Sequence, residues 1–167
     1  LKTPPVFNAG RGPQTMPLRP AYSYRQDPAV PDFPDDKPVI VFDGYCALCS
    51  GWASFVLRHD TRKHYRLLAA QSPLGVALYA HYGLKSSGDY DSNILIADGM
   101  AWIKSEGSIR MAEGLGFPWR LAGAFRLLPL GMRDALYGVV ARNRLKWFGR
   151  RDSCYLPPAE FRHRFLA

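Results

Sequence analysis

Val39-Ile40-Val41-Phe42-Asp43-Gly44-Tyr45-Cys46-Ala47-Leu48-Cys49 is an apolar run that ends in a turn and opens onto a Cys-x-x-Cys. The four apolar residues Val39 to Phe42, three of them β-branched and bounded by Pro38 and Asp43-Gly44, predict a short strand buried on both faces. The residues after the turn predict a helix. From Leu48 the apolar positions fall at Leu48, Trp52, Phe55, Val56 and His59, with Ser50, Ser54 and Arg58 on the other side. The cysteines therefore stand where a strand hands over to the first turn of a helix.

That placement has a chemical consequence. The first helical turn presents unpaired N–H groups and roughly half a positive charge, which favours a thiolate over a thiol. Cys46 is expected to be the acidic, exposed cysteine, and Cys49, nearly one turn on, to point toward the face of Trp52, Ala53 and Val56. A mixed disulfide formed at Cys46 would be released by Cys49, the minimum apparatus for thiol–disulfide exchange. Asp43 is expected to cap the turn, and a second role as acceptor of the Cys49 proton is compatible with that.

Phe42-Asp43-Gly44-Tyr45-Cys46-Ala47-Leu48-Cys49 resembles the signature of the DCC family of thiol-disulfide oxidoreductases, named for Asp-x-x-Cys-x-x-Cys. The likeness runs from about Pro38 to the C-terminus and takes in Lys104-Ser105-Glu106, Arg151-Asp152-Ser153-Cys154, Arg162 and Phe165. It implies a thioredoxin-like fold and disulfide exchange with Cys46 and Cys49 catalytic and Asp43 beside them, without a bound cofactor. Thioredoxins place a cis-proline opposite the pair; Asp91-Ser92-Asn93-Ile94 has none there, so Ser92 or Asn93 would present the backbone instead.

Residues 1 to 38 hold nine of the fourteen prolines, which forbids helix and predicts an extended arm, residues 1–37, unable to pack a core of its own. It reads as a linker or as an arm that wraps a partner through Val6, Phe7, Tyr22, Tyr24 and Phe33. Beyond it, residues 38–167 read as one α/β domain. His64 to Ala69 predicts a second strand, parallel to the first, and Ser72-Pro73 starts a helix closed near Gly83. Asn93 to Ala97 and Ala101 to Ile103 form a hairpin through Asp98-Gly99, and Ser105 caps a third helix through Leu115. This β-α-β-α-β-β-α order is that of a thioredoxin fold. From about 119 a helical extension follows, Leu121 to Leu128 and Met132 to Trp147, with Leu136, Val139, Val140, Asn143 and Trp147 near one face. It packs over the sheet or covers the cysteines.

The net charge of +8 suggests an anionic neighbour, and Arg142, Arg144, Lys146, Arg150 and Arg151 with Trp147 and Phe148 form a basic patch. A solvated helix face is the plain explanation and RNA contact the sharper one. No stretch matches the ~18 uninterrupted apolar residues of a membrane span. Three cysteines do not make a secreted disulfide framework, which favours a reducing intracellular compartment. A basic chain starting at Leu1 fits a mitochondrial or other organelle matrix ahead of a bacterial cytoplasm.

The bland readings of the pair are an inert relic and a zinc half-site completed by Cys154 and one of His59, His64, His81 or His163. Cys154 itself reads as a buried small hydrophobe, or as a second disulfide partner if it lies near the pair. The expected function is exchange or reduction of disulfides in a protein or small thiol substrate. The runner-up is a thioredoxin-like subunit of a larger organellar or ribonucleoprotein assembly.

Overall fold

The structure, a computed structural model, describes residues 19–85, 90 and 92–166. Four strands form one mixed sheet in the order β2-β1-β3-β4. β1 (Val39–Phe42) pairs in parallel with β2 (Arg66–Ala69) and antiparallel with β3 (Ile94–Ala97), which forms a hairpin with β4 (Met100–Trp102). Asp98 and Gly99 both take positive φ, 50° and 74°, as the primed turn requires. The fold is thioredoxin-like.

Every β1 side chain is fully buried because the sheet is covered on both faces. Val39 and Val41 meet Leu74 and Leu78 of α2 (Pro73–His81). Ile40 meets Val56 of α1 (Ala47–His59) and Met111 of α3 (Lys104–Glu113), and Phe42 packs on Ala53 and Leu57 of α1. Ser72 caps α2 by accepting the Gly75 N–H at 3.1 Å. Gly83 just beyond takes φ 66°.

The part of the proline-rich arm that is described lies on the domain itself. Ser23–Gln26 make a 3-10 turn, and Tyr24 and Val30 are buried with Phe33 against the β1–α2 core. His81 of α2 secures it, with ring nitrogens 2.9 Å from Ser23 Oγ and 2.7 Å from Asp27 Oδ2. Of the expected anchors, Val6 and Phe7 fall outside the described residues.

Four local expectations are corrected. Ser105 does not cap α3: the helix starts at Lys104, and Ser105 Oγ bonds Asp134 instead, tying α3 to the extension. Ser50, placed on the polar side of α1, is buried because its hydroxyl donates to Gly44 O at 3.2 Å. The extension begins as a 3-10 helix, Trp119–Leu127, and continues as α4 (Leu130–Phe148). α4 does not pack through the expected stripe: Leu136, Val139, Val140 and Trp147 are exposed, and Arg133 and Arg144 are buried. Arg133 docks on Glu106 of α3 at 3.2 Å, and Glu106 also holds Arg110 and Arg126.

Candidate active site

β1 delivers its last residue to a turn fixed from two sides. Asp43, 4% exposed, accepts the Tyr45 N–H at 3.0 Å and the Gln71 side-chain amide at 2.6 Å. Gln71 Oε1 in turn accepts the Gly44 N–H at 3.0 Å. One amide from the loop after β2 thus closes both ends of the turn. α1 starts at once, with Cys46 as its N-cap and Cys46 Sγ accepting the Cys49 N–H at 3.2 Å. A sulfur stands where a serine or aspartate oxygen usually satisfies that orphan donor.

The expected acidity of Cys46 is present. Its pKa is pulled down to about 7, first by the Cys49 thiol hydrogen-bonded to it, against burial, and then by the Cys49 N–H and the charge of Arg144; Asp43 opposes the shift. Cys49 moves the other way, pushed far up because it holds the shared proton beside an anion and is buried. The proton of the pair therefore favours Cys49, and negative charge falls on Cys46 when the pair ionises.

The expected exposure of Cys46 is overturned. Cys46 has 0% of its surface accessible, because residues 149–155 run alongside its loop. Arg150 forms an antiparallel bridge with Cys46, and Ala47 N–H donates to Gly149 O at 3.3 Å. Arg151 N–H reaches Tyr45 O at 2.7 Å and Tyr155 N–H reaches Gly44 O at 2.9 Å. Unsatisfied loop groups drew in a strand-like cover that periodicity in α4 does not signal.

Cys49 is reached from the other side. A half-open cavity of about 190 Å³ lies between α1 and α4, lined by Leu48, Cys49 and Trp52 from one and Tyr137, Val140 and Arg144 from the other. Tyr137 OH lies 2.9 Å from Ser92 Oγ, which also accepts the Lys104 N–H at 2.9 Å. So Ser92, at the place of the absent proline, joins the start of α3 to α4. Arg144, read as part of a surface patch, is turned inward at 6% exposure, whereas Arg142, Lys146, Arg150 and Arg151 stay exposed. Gln71, Tyr137 and Arg144 were missed as site residues. The signal for α4 was present: Arg133, Tyr137 and Arg144 fall on one helical face.

Cys154 sits over the turn, half-buried, its sulfur 4.0 Å from Gln71 Oε1. A Cβ added to Gly44 would stand 2.5 Å from that sulfur, which is why the turn takes glycine. Among the described residues no group of three or more His, Cys, Asp and Glu side chains is placed to hold a metal ion. Near the C-terminus Arg164 anchors the chain. It is buried against Asp60, with Phe165 packed on Phe42.

A thioredoxin-like sheet thus delivers a Cys-x-x-Cys to the N-terminus of α1. Residues 40–150 match the family described as DCC1-like thiol-disulfide oxidoreductase, and the chain belongs to that family. It is 37% identical over 128 residues to the uncharacterized protein YuxK of Bacillus subtilis (strain 168), covering 77% of this chain and 93% of that one. It is 38% identical over 123 residues to the DCC family protein At1g52590, chloroplastic, of Arabidopsis thaliana, covering 73% and 71%. No solved structure matches the chain significantly. No helix among the described residues is long and apolar enough to cross a membrane.

Proposed function

We propose that the chain is a thiol–disulfide oxidoreductase acting through Cys46 and Cys49. The observation that carries this is the Cys46 sulfur capping α1 by accepting the Cys49 N–H, at the end of a buried strand. The Cys46 thiolate attacks one sulfur of a substrate disulfide, forming a mixed disulfide and releasing one thiolate. Cys49 then attacks the Cys46 sulfur, and its proton leaves on the second substrate sulfur. Two electrons have passed to the substrate, and the protein holds a Cys46–Cys49 disulfide; the reverse sequence oxidises a dithiol.

Arg144 supports the thiolate, and Asp43 with Gln71 holds the turn that aims it. The α1–α4 cavity opens onto Cys49 while residues 149–151 cover Cys46, so attack by Cys46 needs that cover to open. The test is reduction of a small aryl disulfide by the pre-reduced protein. Release of two thiols per chain is expected, falling to background in Cys46→Ser; an inactive parent protein overturns the reading.

One observation favours a second reading, a structural subunit. Phe117, Leu121, Phe125, Leu127 and Leu136 are 59 to 89% exposed on the extension, more apolar surface than a solitary domain usually leaves in water. Substituting Leu121, Phe125 and Leu136 by serine is expected to release the chain from any such assembly in native gel filtration, leaving disulfide reduction intact. An organelle matrix is the compartment we assign, in keeping with the plant relative's printed name.

A further inference from the structure

Three arginines are buried among the described residues, and two of them have carboxylates: Arg133 has Glu106 and Arg164 has Asp60. Arg144 differs. Its guanidinium donates to two backbone carbonyls, Tyr90 O and, at 3.4 Å, Ala141 O, and its Nε has no partner. No carboxylate among the described residues pairs with it. Its charge is met by the cysteine pair and not by an ion-paired carboxylate, so the guanidinium keeps donor capacity for a bound oxyanion.

The cavity it lines matches one kind of acceptor. Leu48, Trp52 and Val140 give it apolar walls, and Arg144 and Tyr137 converge on it from α4. At about 190 Å³ it exceeds the roughly 150 Å³ apolar cavity that takes benzene, so a single substituted ring or a short branched chain fits. Cys49 and Arg144 line the same cavity, so whatever binds there lies beside Cys49.

We propose that the α1–α4 cavity binds a small, mostly apolar organic anion, its carboxylate on Arg144 and its body against Leu48, Trp52 and Val140, beside Cys49. Resting on the oxidoreductase reading, this makes small carboxylate-bearing disulfides or thiols the substrate class. The forked donors of an arginine suit a planar oxyanion better than a single point charge does.

Two matched probe pairs test it. Titration of the reduced full chain with benzoate and benzamide is expected to show saturable benzoate binding, about tenfold tighter than benzamide. Ala141→Trp, which fills the cavity from α4, is expected to abolish it. Equal affinities, no saturable binding, or binding indifferent to Ala141→Trp overturns the assignment. The second pair is dithiodibenzoate against uncharged dithiodibenzamide as substrates. Their rate ratio is expected to fall about tenfold in Arg144→Gln, while any change in thiolate content cancels between them. An unchanged ratio overturns the proposal. If neither disulfide reacts with the parent protein while benzoate binds, the oxidoreductase reading falls and the anion site stands. If both react at equal rates and benzoate does not bind, the anion site falls and the oxidoreductase reading stands.

Discussion

Arg150 pairs with Cys46 in an antiparallel bridge, so the chain's own segment 149–155 lies strand-like along the backbone edge beside the first cysteine. In an open site a substrate backbone would compete for that edge. Here the protein has filled it and left the cavity on the Cys49 side.

Removing the strand's hold should expose Cys46. Arg151→Pro deletes the N–H that reaches Tyr45 O at 2.7 Å, the shortest of the backbone bonds joining the two segments. Iodoacetamide should then modify Cys46 about tenfold faster than in the parent, a difference of about 1.4 kcal/mol in opening free energy. Peptide mapping by mass spectrometry reads the rate, and an unchanged rate would show that the strand does not limit access.

The thiolate should titrate near neutrality. The Cys46 pKa is lowered to about 7, so alkylation should rise roughly tenfold per pH unit below that value and level off above it. Arg144→Gln removes a charge that favours the anion, so the midpoint should move up. Stability follows the same sign: the depressed pKa contributes stability above the unfolded-state thiol pKa, and that contribution is lost as pH falls through about 7.

Gly44 and Cys154 should be coupled. Gly44→Ala puts a methyl 2.5 Å from Cys154 Sγ, which should cost about 1–3 kcal/mol by overpacking. Cys154→Ala in the same chain should recover much of that loss, because the sulfur is the nearest obstacle. Denaturant melts of the four proteins give the coupling, and strict additivity would place the strain elsewhere.

Gln71 should matter more than its place in a loop suggests. Gln71→Leu leaves Gly44 N–H and one of the acceptances of Asp43 unmet, for a loss of about 1–3 kcal/mol. Gln71→Glu keeps the acceptor for Gly44 but sets a second carboxylate against Asp43. It should raise the Cys46 midpoint as well as lower stability, measured by alkylation against pH.

Much of this architecture was readable from Val39 to Cys49. A doubly buried strand, a turn and a helix entrance follow from four apolar residues, Asp43-Gly44 and the spacing of the cysteines. Asp98-Gly99 and Ser72-Pro73 marked the hairpin and α2 through backbone requirements that are local in sequence. What stayed hidden depends on chain segments far apart. The cover of Cys46 comes from a pairing between residues 46 and 150, to which no periodicity points. α4 misled because Leu136, Val139 and Trp147 face outward, and the face toward the domain carries Arg133, Tyr137 and Arg144 with Val140 at the cavity. Charged residues read as surface unless their buried partners are known, and those partners, Glu106 and the cysteine pair, lie on other helices.

Whether Cys46 and Cys49 form a redox couple is decided by equilibrating the full chain in glutathione buffers of graded potential and quantifying the Cys46–Cys49 bond by mass spectrometry. A single two-electron transition is predicted, reversible, absent in Cys46→Ser and unaffected by Cys154→Ala. A pair that stays reduced at every potential, or a bond that forms only with Cys154, would contradict it.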